Sequence, residues 1–104
     1  DEGSVVAPIH YSATFRARMS AELLPALRKF APELLIISAG FDAHHKDPLG
    51  GLNFTDDDYH WITRELMAVA DDTAGGRVVS VLEGGYSLSA LRACSVAHLQ
   101  GLGA

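Results

Sequence analysis

Leu34-Leu-Ile-Ile-Ser-Ala-Gly-Phe-Asp-Ala-His-His-Lys-Asp-Pro-Leu-Gly-Gly51 begins as an unbroken apolar run and ends in acid, imidazole and glycine. Leu34 to Ile37 has the pattern of a short strand buried on both faces. The residues from Gly40 to Phe54 pack poorly, so they read as a long loop leaving the end of that strand. A second unit has the same form: Val78-Val-Ser-Val-Leu82 reads as a strand, and Glu83-Gly-Gly-Tyr-Ser87 turns out of it. Between the two, Thr55 precedes Asp56, Asp57 and Asp58 with a capping-box-like spacing and with negative charge at the positive end of a helix. Tyr59, Ile62, Leu66, Val69 and Ala70 continue that helix until Gly75-Gly76 stops it. Two strands joined by a helical crossover are expected to be parallel, which makes their C-terminal ends neighbours. The loops 40–54 and 83–87 then share one edge, where open α/β sheets bind ligands.

Working outward, Phe15, Met19, Leu23, Leu24, Leu27 and Phe30 recur at helical spacing after Ser12, a candidate N-cap. Pro25 is expected to kink or restart this helix, and Pro32 to close it. A last helix is expected from about Leu88 to Leu102, while residues 1 to 11 show no period and read as the tail of a loop. The order is helix, strand, helix, strand, helix, with no repeat or linker, so residues 1–104 are expected to form a single α/β segment.

The bulk properties narrow the function classes. Of 104 residues, 48% are hydrophobic and 20% charged, which suits a folded core. A net charge of −5 with scattered Lys and Arg argues against direct nucleic-acid binding. The apolar runs fall short of the roughly 20 residues of a membrane span, and Asp1-Glu-Gly-Ser-Val-Val6 lacks the pattern of a signal peptide. The expectation is a soluble, cytoplasmic protein. Cys94 has no second cysteine to pair with and reads as core.

Asp42, just past the first strand, has three readings: a ligand for a divalent metal, a base, or a turn cap bonding backbone N–H groups. Spacing alone favours the turn. His44 and His45 add imidazoles, yet zinc needs three or more protein ligands and no second Asp-x-His or cysteine pair completes a sphere here. Tyr86 follows Gly84 and Gly85, whose backbone freedom allows the phenol to be presented at the edge. It either donates to negative charge developing on a carbonyl oxygen or covers the start of the last helix. Asp56 to Asp58 fit capping better than metal binding, Asp71-Asp72 reads as solvated, and Tyr59 and Trp61 read as packing aromatics. His10, His60 and His98 stand singly.

Together, Ser38-Ala-Gly-Phe-Asp-Ala-His44, Asp47-Pro-Leu-Gly-Gly51 and Leu82-Glu-Gly-Gly-Tyr86 resemble the C-terminal third of the zinc-dependent histone deacetylase family, over about residues 12 to 102. The resemblance is closest to the class II members and the bacterial histone deacetylase-like amidohydrolases. It implies a helix-strand-helix-strand-helix piece of the three-layer, parallel-sheet arginase/deacetylase fold. It implies that Asp42 is one of three zinc ligands and that Tyr86, with the metal, holds the oxyanion formed when an activated water attacks an acetyl carbonyl. Leu49 falls where the family has a wall of the acyl-lysine tunnel, and Gly84 and Gly85 fall in the strand-end loop beside it. The family's other two zinc ligands and its histidine base lie upstream of these motifs, and nothing in residues 1 to 37 matches them. The expectation is a portion of a deacetylase for acetyl-lysine or another acetylated amine, inactive alone, which self-associates or packs on the remainder of a parent chain. The alternatives are a portion of an acetylpolyamine or other small-molecule amidohydrolase, and a non-catalytic interaction module.

Overall fold

The structure, a computed structural model, describes residues 12–47 and 54–103. Helix α1 (Ser12–Arg18) passes through a π-helical turn at Met19–Leu23 into α2 (Leu24–Phe30). Pro25 sits in the first turn of α2. Its ring conflicts with the carbonyl four residues back, and the widened π-helical turn before it is where the helix restarts. Helix α2 ends at Ala31, a left-handed residue (φ 55°) whose N–H reaches the carbonyls of Leu27 and Arg28.

Strands β1 (Leu35–Ala39) and β2 (Val78–Leu82) form a parallel two-stranded sheet, in register from Leu35 opposite Val78 to Ala39 opposite Leu82. Between them runs α3 (Asp56–Thr73), which opens with a complete capping box. The Thr55 side chain accepts the Asp58 N–H, and the Asp58 side chain accepts the Thr55 N–H. Asp58 is 1% exposed and also accepts from Ser12 Oγ (2.5 Å) and Arg16 Nε (3.1 Å), so it fastens α1 to the start of α3. Helix α4 (Leu88–Leu102) starts on the Ser87 cap and crosses α3 closely at Gly101, where a Cβ would stand 2.7 Å from Thr63 Cβ.

Both long helices lie on one face of the sheet. Leu35 packs with Ala70 and Ala74, joined by Leu27, Ile37, Leu66 and Val78. Ala39 and Phe41 pack with Cys94, joined by Ile37, Tyr59 and Leu91. The opposite face is bare: Ile36, Val79 and Val81 are 65%, 48% and 50% exposed. The expectation of strands buried on both faces is therefore met on one face only. A continuous apolar run marks a strand intended for two covers without saying whether this chain provides both.

Inside the core, His98 joins three elements. Thr63 Oγ1 donates to the Tyr59 carbonyl (2.6 Å), so it accepts from His98 Nδ1 (2.8 Å). That leaves His98 Nε2 to accept from Ser80 Oγ (2.7 Å). His98, which stands singly in the sequence, is a buried cross-brace between α3, α4 and β2, and burial lowers its pKa. Asp72 is solvent-exposed, as expected, and also pairs at the surface with Arg28 on α2.

Candidate active site at the sheet edge

The parallel ladder runs on beyond the strands themselves. Glu83 N–H donates to the Ala39 carbonyl (2.7 Å) and Phe41 N–H to the Gly84 carbonyl (2.8 Å). These two bonds carry the loop after β1 and the loop after β2 outward side by side. Asp42 follows Phe41 at once, and its carboxylate lies against Gly84: a Cβ at residue 84 would stand 2.8 Å from Asp42 Oδ2. Any side chain there would displace the carboxylate, which explains glycine at this position. Asp42 is exposed, and among the described residues no hydrogen bond or ion pair engages its carboxylate. The turn-cap reading, favoured by spacing, is not realised in its side chain.

The loop after Asp42 is tightly organised. His44 N–H donates to the Phe41 carbonyl (3.3 Å), and Asp47 N–H to the His44 carbonyl (2.9 Å). His45 N–H and Phe54 N–H complete a bridge between residues 43–45 and Phe54. His44 is 2% exposed; its Nδ1 accepts the Lys46 N–H (3.2 Å), and its Nε2 faces Asp56 at 3.7 Å. Its imidazole therefore shapes this turn, and burial pushes its pKa down. His45 stacks on it, with ring centroids 4.4 Å apart. Among the described residues no group of three or more His, Cys, Asp or Glu is placed to hold a metal ion. Leu49 lies outside the described residues.

Gly85 has φ +145°, a backbone state that L side chains rarely adopt, and a Cβ there would stand 3.2 Å from Leu91 Cδ1 and 3.5 Å from Phe41 Cβ. Tyr86 then emerges 56% exposed. Its backbone N–H donates to Asp47 Oδ2 at 2.7 Å. Asp47, only 7% exposed, opens the Asp47-Pro-Leu-Gly-Gly51 motif, but sequence reasoning gave it no role of its own. Phe41, 3% exposed, supports the edge from below, with Tyr59 set edge-on to it at 5.1 Å. Tyr59 is the packing aromatic expected, and burial raises the pKa of its hydroxyl. Trp61 also packs, edge-on to Phe15 and beneath the Arg16 guanidinium.

The arrangement thus sets an exposed carboxylate and an exposed phenol on loops that leave one sheet edge together. Residues 6–102 match the family model described as "Histone deacetylase domain". The chain is 49% identical over 80 residues to type-2 histone deacetylase 1 of Dictyostelium discoideum, covering 77% of this chain and 5% of that protein. It is 38% identical over 84 residues to the histone deacetylase-like amidohydrolase of Pseudomonas aeruginosa, covering 81% of this chain and 22% of that one. The solved structure of the histone deacetylase Clr3 matches with a TM-score of 0.80 at 32% identity, over 88% of this chain and 15% of that chain. The chain therefore spans less than a quarter of the length of each of these relatives.

Proposed function

The chain belongs to the histone deacetylase family, and on that premise we propose that it is the portion of a zinc-dependent deacetylase that supplies one metal ligand, Asp42, and the oxyanion-stabilising phenol of Tyr86. The observation that carries this reading is the continued ladder, which sets the Asp42 carboxylate against Gly84, two residues before Tyr86, at an exposed edge.

A solvent-facing carboxylate without a hydrogen bond or ion pair among the described residues suits one position in a zinc sphere. The chain does not complete that sphere from its described residues. The remaining ligands and the histidine base are assigned to the rest of a longer protein. When bound, zinc supplies Lewis acidity toward the scissile carbonyl and toward water. Tyr86 donates its phenolic O–H to the negative charge that develops on the acetyl carbonyl oxygen. Gly84 leaves room for the Asp42 carboxylate, Gly85 turns the backbone over Leu91 and Phe41 toward Tyr86, and Leu49 is assigned to one wall of the acyl-lysine channel. The substrate is an acetylated lysine or a related acetylated amine.

The test is acetate release by the full-length protein from an acetyl-lysine peptide and from an acetylated polyamine, before and after chelation and zinc addition. Zinc-dependent release from the peptide is expected. Release from the polyamine alone would replace the substrate with a small molecule, and release that persists after chelation would contradict the reading.

A further inference from the structure

We infer that Asp47 is a positioning residue for Tyr86: its buried carboxylate accepts the Tyr86 N–H at 2.7 Å and so sets the direction in which the phenol leaves the backbone. The inference rests on the assignment of Tyr86 as the oxyanion donor. Two glycines precede Tyr86, and Gly85 occupies a region of backbone space in which rotation is cheap for glycine. Without an anchor, small changes at Gly85 would swing the Tyr86 Cα–Cβ bond through a wide arc. Among the described residues the Tyr86 hydroxyl has no hydrogen bond, and the side chain is 56% exposed, so its aim depends on its backbone. A carboxylate acceptor makes a stronger bond to an amide than a neutral one does.

Asp47 is itself rooted beside Asp42. Its N–H is bonded to the His44 carbonyl, and the His44 N–H to the Phe41 carbonyl, so the turn that grips Tyr86 springs from the residue before Asp42. One loop thereby carries the proposed metal ligand and holds the segment bearing the phenol, which ties their spacing together. Misplacing a reacting group by about 1 Å can cost on the order of 10²-fold in rate, so a backbone anchor of this kind has a measurable consequence.

The experiment compares Asp47→Ala, Asp47→Asn and Tyr86→Phe, and the double variant Asp47→Ala with Tyr86→Phe, in the full-length protein with an acetyl-lysine peptide. Asp47→Ala is expected to lower kcat by about 10- to 100-fold, with KM and zinc stoichiometry little changed. Asp47→Asn keeps an acceptor oxygen and is expected to retain most of the rate. In the double variant the Asp47 change is expected to add almost nothing to the Tyr86→Phe loss, because both act through one phenol. Should Asp47→Ala fail to fold, Asp47→Glu keeps the charge but moves the acceptor, and the same loss of kcat and the same non-additivity are expected of it. Wild-type kcat in Asp47→Ala or Asp47→Glu, or a full additional loss in the Tyr86→Phe background, would overturn the inference while leaving the role of Tyr86 intact. Wild-type activity in Tyr86→Phe would overturn both.

Discussion

The Asp42 carboxylate and the backbone of Gly84 are in contact, so a Cβ on residue 84 would stand 2.8 Å from Oδ2 and 3.0 Å from Cγ. Gly84→Ala in the full-length protein must push either the carboxylate or the strand-end loop aside. Zinc stoichiometry is expected to fall, with a loss of deacetylation of about 10²-fold. Metal analysis beside a rate assay checks this. Full zinc and full rate would mean that Asp42 moves away without consequence.

Asp58 should be a stability residue with a pH signature. Burial alone would raise its pKa, but hydrogen bonds from Ser12, the Thr55 N–H, Arg16 and the Thr55 hydroxyl outweigh it and hold the carboxyl below its ordinary 3.8. Its contribution is complete above that value and is lost as the pH falls through the lower, folded pKa. Asp58→Ala is expected to cost about 2 kcal/mol at neutral pH, from charge-assisted bonds and the helix cap together. Denaturant titrations at neutral pH and below pH 4 test this, and the difference between wild type and variant should shrink in acid.

His98 has the opposite kind of group and the same direction of dependence. Burial favours its neutral imidazole and lowers its pKa from 6.5. Its contribution is full above 6.5 and is lost as the pH falls through the lower folded value, because the unfolded state takes up the proton first. His98→Gln should lower stability at pH 8 and also make the decline between pH 6.5 and 5 shallower. An unchanged slope in thermal melts across that range would contradict the neutral, hydroxyl-bridged imidazole.

The bare sheet face gives a prediction for residues 1–104 produced alone. Ile36, Val79 and Val81 are exposed on a sheet whose described strands have unpaired outer edges. Such surfaces recruit a partner. Self-association in light scattering, and no hydrolysis of an acetyl-lysine peptide with added zinc, are the expected outcomes. A stable monomer over a wide concentration range would count against the proposal that the chain is a portion of a longer deacetylase.

The fold was legible where one signal acted locally. The Thr55 to Asp58 spacing marked the start of α3, Gly75 and Gly76 marked its end, and the apolar runs marked both strands, although β1 spans Leu35–Ala39 and so ends two residues beyond the run Leu34–Ile37. Parallel pairing followed from the helical crossover and placed Asp42 and Tyr86 on loops leaving one edge. What stayed hidden depends on distant partners. Nothing near Asp47 announces a bond to a backbone N–H thirty-nine positions away, and nothing near Asp72 announces Arg28. His98 looked isolated because its hydroxyl partners, Thr63 and Ser80, come from other elements. The exposed face of the sheet was misjudged for a related reason: the apolar side chains of Ile36, Val79 and Val81 encode a contact that the described residues do not make.

The central claim is that Asp42 holds metal and Tyr86 stabilises the transition state, and the most direct measurement sets zinc stoichiometry beside acetyl-lysine hydrolysis for Asp42→Ala and Tyr86→Phe in the full-length protein. Removing one hydrogen-bond donor from an oxyanion site typically costs about 10²–10³ in turnover, so Tyr86→Phe should show such a loss with zinc retained. Asp42→Ala should lose zinc and activity together. Full zinc in Asp42→Ala, or full activity in Tyr86→Phe, would contradict the account.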